Sequence, residues 1–190
     1  MEIWGRKQFI INHRHAPCSA ELKRETLGKL ALPGDVIVLG YTAEETDRFD
    51  RICDRFPTEE FRAPLIEKGL TKEDCLAMIQ RAGIEVPMMY KLGYDNANCI
   101  GCPKGGQAYW QNIRADFPEQ FVKIQNLQSE INKVRTGDGA NFLRFRSGPR
   151  KGERMSLAEL PEGRGNMKEE PNFSCSFFCQ MAEDEIQPKA

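Results

Sequence analysis

The stretch GDVIVLGYTAEETDRFDRICDRF, Gly34 to Phe56, decides the fold class. Its first half is a β-branched run bounded by glycines, which reads as a strand buried on both faces, as in parallel sheets. Its second half changes period. Thr42 and Glu45 match a capping box, and Phe49, Ile52, Cys53 and Phe56 then fall on one helical face. A strand running directly into an amphipathic helix is the unit from which α/β layer folds are built.

Upstream, PCSAELKRETLGKLAL predicts a helix with Ser19 as N-cap and Leu22, Leu27 and Leu30 facing inward, ended by Pro33 and Gly34. Phe9 to Ile11 is a short apolar run suited to a strand or an extended segment. Downstream, Thr71 and Asp74 mark a helix start, Leu76, Met78 and Ile79 supply its apolar positions, and Gly83 its stop. Pro118 suits the first turn of a further helix, along which Phe121, Ile124, Leu127, Ile131 and Val134 form a stripe. The expected architecture is α/β with a helical C-terminal part. Residues 1–134 form the α/β domain with a cysteine loop, and residues 135–190, irregular and basic, pack on it.

A chain of 190 residues that is 40% hydrophobic suffices for one compact domain with a real core. Its 27 basic and 28 acidic residues nearly cancel, so bulk charge does not direct it to nucleic acid or a membrane surface. The longest apolar runs are far short of a membrane span, and MEIWGRKQF lacks the layout of a signal peptide, which together point to the cytoplasm.

In a reducing compartment, seven cysteines suit metal or redox chemistry better than a disulfide framework. Cys53 and Cys75 sit within predicted helices and read as small core residues. Cys99 and Cys102 stand two residues apart in a glycine-containing turn, which lets both sulfurs face one ion, and Cys175 and Cys179 form a second close pair. Four thiolates suffice for a closed zinc site or an iron–sulfur cluster; two separate buried pairs, or a redox-active Cys-x-x-Cys, fit the spacing as well. Cys18, after His13 and His15, is a fifth candidate ligand.

Lys104, Gly105 and Gly106 precede a predicted helix. They could cradle an anion on backbone N–H groups, or form a flexible turn. Glu44, Glu45 and Arg48 lie just past the C-terminal end of the strand, where open α/β sheets place ligands, although capping explains the glutamates too. Arg144, Arg146, Arg150, Lys151 and Arg154, around Phe142 and Phe145, suit a phosphate backbone, an acidic protein surface or a solvated hairpin.

The segments PCSAELKR, VIVLGYTAEETDR, APLIEKGLTKEDCLAMI, NCIGCPKGGQAYWQNIRADFPEQF and CSFFC, taken in order, resemble the phage and bacterial branch of the phosphoadenosine phosphosulfate (PAPS) reductase-like family. The resemblance spans about Phe9 to Cys179. It implies a Rossmann-like sheet of the adenine nucleotide α-hydrolase type, an adenine nucleotide site, and sulfur transfer or reduction, often with an iron–sulfur cluster. Cys18, Lys23, Glu44, Glu45, Arg48, Cys99, Cys102, Cys175 and Cys179 stand where the family's motifs place their counterparts.

One departure shapes the functional expectation. Family members open with a strand and a Ser-Gly-Gly loop that holds the nucleotide pyrophosphate, and Met1 to Gly5 offers no such loop. The Rossmann-like sheet is then a truncated one, with apolar faces or an edge open to a homodimer or another protein. The first expectation is a non-catalytic phage or mobile-element protein that blocks a host defence complex by docking, in the manner of an anti-CRISPR protein. The alternative is a sulfonucleotide reductase or sulfur-transfer enzyme with an iron–sulfur cluster.

Overall fold

The computed structural model describes residues 2–10, 18, 21–22, 25–137 and 139–170. They divide into two compact units, one of residues 25–92, the other of residues 2–10, 18 and 21–22 with 93–137 and 139–170. The chain is mixed α/β, with a two-stranded parallel sheet in the first unit and a two-stranded antiparallel sheet in the second.

In the first unit, α2 (Glu25–Leu30) precedes β1 (Val36–Val38). A 3-10 turn at Ala43–Glu45 leads into α3 (Thr46–Arg55), and β2 (Glu60–Arg62) returns parallel to β1 with Ile37 opposite Phe61. The Thr42 N–H donates to the Glu45 carboxylate at 3.2 Å, as the predicted cap requires. Then follow α4 (Pro64–Glu67), α5 (Lys72–Arg81) and α6 (Met88–Lys91). Thr71 and Asp74 exchange backbone-to-side-chain bonds of 3.0 and 3.1 Å at the start of α5, again as predicted. Buried Tyr41 and Ile52 centre the core, with Leu39, Phe49, Phe56, Phe61 and Ile66 packed against them.

Two expectations fail at β1 and in the segment before it. Burial of β1 on both faces does not occur: Val36 and Val38 are exposed and only Ile37 is half-buried. Side chains alternate along a strand, and the core lies on the Ile37 side alone. The inward assignment of Leu22, Leu27 and Leu30 is also overturned, since they are 65%, 57% and 72% exposed. Leu27 and Leu30 do share a helix face, but α2 is under two turns long and buries no residue. Ser19 lies outside the described residues.

The second unit begins with α1 (Glu2–Lys7), which buries Ile3 and Trp4. Its centre is the pair α7 (Gln107–Asp116) and α8 (Pro118–Val134), with Pro118 in the first turn as predicted. Tyr109, Trp110 and Ile113 of α7 are buried with Phe121, Ile124 and Ile131 of α8, and the Trp110 ring lies 5.2 Å from that of Phe142. The stripe on α8 is interrupted. Val134 is exposed, and the residue that takes an inner place is Gln128. Its amide nitrogen donates to the Ala140 carbonyl at 3.1 Å and its oxygen accepts the Leu157 N–H at 2.7 Å. Two buried polar groups are thereby satisfied, and the chain beyond Val134 folds back onto α8.

That returning segment contains the basic run, which forms a hairpin of β3 (Leu143–Arg144) and β4 (Arg154–Met155) with Leu143 and Met155 turned inward. Further 3-10 turns follow at Leu157–Glu159 and Met167–Glu169. Phe9 and Ile10 are not in a strand; Ile10 is enclosed and Phe9 lies under Arg135, 5.0 Å from its ring centre. Among the described residues, no helix is long and apolar enough to cross a membrane.

Candidate functional site

Cys99 and Cys102 begin and end a β-turn closed by the Cys102 N–H donating to the Cys99 carbonyl at 3.0 Å. Such a turn holds its outer Cα atoms within about 7 Å, close enough for two sulfurs to share an ion or a bond. Gly101 takes the left-handed position at φ +73°. A methyl group there would also stand 2.3 Å from Ile124 Cδ1 and 3.2 Å from the Trp110 ring. Glycine is therefore required twice over.

The Tyr109 hydroxyl clamps this turn from the helix behind it, accepting the Cys102 N–H at 3.0 Å and donating to the Cys99 carbonyl at 2.8 Å. Its ring takes the space that a side chain at Gly105 would need, with the would-be Cβ 2.1 Å from Cδ1. Burial raises the pKa of the Tyr109 phenol, which keeps it a donor through neutral pH. Tyr94 packs edge-on against Tyr109 at 5.8 Å and donates to Asp116 Oδ2 at 2.9 Å; burial, then the Asp116 carboxylate, raise its pKa too. Within this frame Cys99 is exposed and Cys102, at 6% exposure, is buried.

The predicted cradle does not form on Gly105, whose N–H donates to the Cys102 carbonyl at 3.0 Å; the helix end just beyond it holds a carboxylate of the chain's own. Glu170 Oε1 accepts the Ala108 N–H at 2.6 Å, in the first turn of α7, and the Arg146 guanidinium at 2.7 Å. Gly106 leaves the room, since a Cβ there would stand 2.1 Å from Glu170 Oε2. The N-terminal end of a helix favours negative charge by about 0.3–2 kcal/mol. The fit is imperfect, however: the Glu170 side chain is 2% exposed and its Oε2 has no hydrogen-bond partner. An unpartnered buried acceptor costs about 1–3 kcal/mol, more when charged.

The neighbouring chain runs along α7. Asn112 and Gly165 exchange two hydrogen bonds of 3.1 Å, and Arg114 donates to the Leu160 carbonyl at 2.9 Å. Asp116 pairs with Arg164.

Several other predicted residues are engaged in internal contacts. Glu44 accepts the Lys72 N–H at 3.2 Å; its own turn's amide, the Thr42 hydroxyl and the Lys72 amide hold its pKa down, in that order. Arg48 pairs with Glu45 and lies over the Tyr41 ring at 5.1 Å. In the hairpin, Arg150 binds Glu153 and Glu159, both at 2.8 Å, and stacks on Phe145 at 4.2 Å. Arg144 stands opposite Arg154 across the ladder and donates to the Gly152 carbonyl. Lys151 is exposed, and Lys104 is half-buried next to Gly105.

Lys23, His13, His15, Cys175 and Cys179 lie outside the described residues. Cys18, Cys53 and Cys75 are half-buried. No group of three or more His, Cys, Asp or Glu placed to hold a metal occurs among the described residues. Of the four paired cysteines, the described residues include Cys99 and Cys102.

Comparison with protein-family models, curated proteins and solved structures finds no match to this chain.

Tyr109, Asn112, Gly165 and Glu170 were not among the predicted site residues. The adjacent glycines signal a close approach at that point, but their partner Glu170 is more than 60 residues away, and nothing local to it names the contact.

Proposed function

We propose that this is a PAPS reductase-like protein in which Cys99, Cys102, Cys175 and Cys179 together hold a zinc ion or an iron–sulfur cluster, and that it acts on a sulfonucleotide or its sulfur in the cytoplasm. One observation carries this reading. The chain is fastened to the first turn of α7 at Glu170, beside the cysteine turn, and Cys175 follows five residues later. Five residues span at most about 18 Å, which bounds how far along the chain Cys175 can stand from Glu170 and supports a shared site.

The build of the cysteine turn supports the same reading. Tyr109, Trp110 and Ile124 restrain its backbone, so that little ordering is left for a ligand to impose. A bound cluster would supply electron transfer or orient the sulfur substrate, and a zinc ion would staple the turn. The parallel β1–α3–β2 unit supports a Rossmann-like sheet of the adenine nucleotide α-hydrolase type. Titration of anaerobically purified protein with PAPS tests the substrate class. Micromolar binding is expected, and the absence of both PAPS and ATP binding would count against an enzyme.

A second reading, docking to a host defence complex, is favoured by the apolar surface of the 25–92 unit. Leu27, Leu30, Leu32, Val36, Val38, Ile84 and Met88 are all exposed there. Surfaces of that kind bind partners, another copy of the chain included. This reading expects a stable host protein complex without turnover.

A further inference from the structure

We propose that the N-terminal end of α7, with Arg146, is a binding site for a tetrahedral oxyanion, a phosphate or sulfate ester, and that Glu170 occupies this site in the ligand's absence. Two independent features point there. The first is the construction of the helix end: α7 is ten residues long, its N-cap is Gly106 without a side-chain cap, and the Ala108 N–H and the Arg146 guanidinium converge on one oxygen. Backbone N–H groups at a helix start joined by an arginine fork are a general recognition pattern for such anions.

The second is the defect in the present occupant. Glu170 places one oxygen between the two donors and leaves the other buried and without a partner. An acceptor in its own optimised pocket would have both oxygens satisfied. The carboxylate is a tolerated occupant, and the ligand must displace it.

Phosphate affinity of Glu170 variants tests this. Inorganic phosphate and inorganic sulfate are titrated separately into wild type, Glu170→Gln and Glu170→Gln/Arg146→Met, each checked for native circular dichroism. Removing the competing charge is expected to tighten binding of one or both anions about tenfold or more, and removing Arg146 to abolish the gain. Whichever anion gains more identifies the ester class. If Glu170→Gln folds and binds neither anion more tightly, or if the gain survives loss of Arg146, Glu170 is a structural helix cap and the proposal is wrong. Should Glu170→Gln fail to fold, Glu170→Ala gives the second readout: it must tighten sulfate binding over wild type, and Glu170→Ala/Arg146→Met must not. Metal content of the wild type decides the cysteine reading separately, so either proposal can fail alone.

Discussion

Asn112 and Gly165 are joined by two reciprocal hydrogen bonds of 3.1 Å, the side-chain amide of one reading the backbone of the other. This pair holds the returning chain against α7, upstream of Glu170. Asn112→Ala leaves the Gly165 N–H and carbonyl without these partners and should cost about 1–3 kcal/mol. Gly165→Ala should cost at least as much, because its Cβ would stand 2.2 Å from the Ala108 Cα, a backbone atom that cannot turn aside. Thermal denaturation of both variants checks this, and an unchanged Tm in either would show that the close approach is not required.

Tyr109→Phe keeps the ring and removes the hydroxyl that binds both ends of the cysteine turn. A loss of about 1–3 kcal/mol is expected. Because the turn also loosens, alkylation of the buried Cys102 thiol in chelator-treated protein should speed up relative to wild type. An equal alkylation rate would mean that the hydroxyl does not restrain the turn.

Gly101→Ala combines a left-handed backbone with a collision against Ile124 Cδ1. The strain and overpacking together should destabilise by about 2 kcal/mol or more. Ile124→Val, which shortens the colliding branch, should recover part of that loss when combined with Gly101→Ala. Strict additivity in the double-mutant cycle would show that the two residues do not collide.

Glu159 provides an acid-sensitive contact. The Ser156 amide first, then the Arg150 guanidinium and the Ser156 hydroxyl, hold its pKa down to about 2 from an ordinary 4.5. A depressed carboxylate stabilises the fold above its unfolded pKa, and that contribution is lost as pH falls from about 4.5 toward 2. Its side chain is 38% exposed, so the effect is modest. Melting temperatures measured across this window should fall more steeply in wild type than in Glu159→Gln. Parallel curves would remove Glu159 from the account.

The elements that could be read from the sequence were those with local causes. The caps at Thr42 and Thr71, Pro118 at the start of α8 and the turn at Gly101 are all set by residues within four positions of one another, and each stands where it was expected. The interior of α8 was only half legible. Its apolar spacing identifies Phe121, Ile124 and Ile131, but Gln128 is buried because Ala140 and Leu157, well beyond it in the chain, satisfy its amide. Hydropathy alone assigns such a residue to the surface.

The same limit explains the errors around β1 and α2. Leu22, Leu27, Leu30, Val36 and Val38 are apolar enough for a core, yet whether a face is covered depends on the elements packed against it, and among the described residues the parallel sheet has two strands. At the candidate site, the glycines and cysteines signalled close approach and sulfur chemistry. The carboxylate that fills the helix end did not announce itself, since Glu170 lies in an acidic, aperiodic segment with no pattern linking it to Gly106.

The most direct test of the central claim is metal content. Iron, zinc and visible absorbance are measured on anaerobically purified wild type, Cys99→Ser/Cys102→Ser and Cys175→Ser/Cys179→Ser. If the four cysteines form one site, the wild type carries stoichiometric metal and both double variants lose it. A metal-free wild type, or a variant of either pair that retains its full metal, would contradict a shared site.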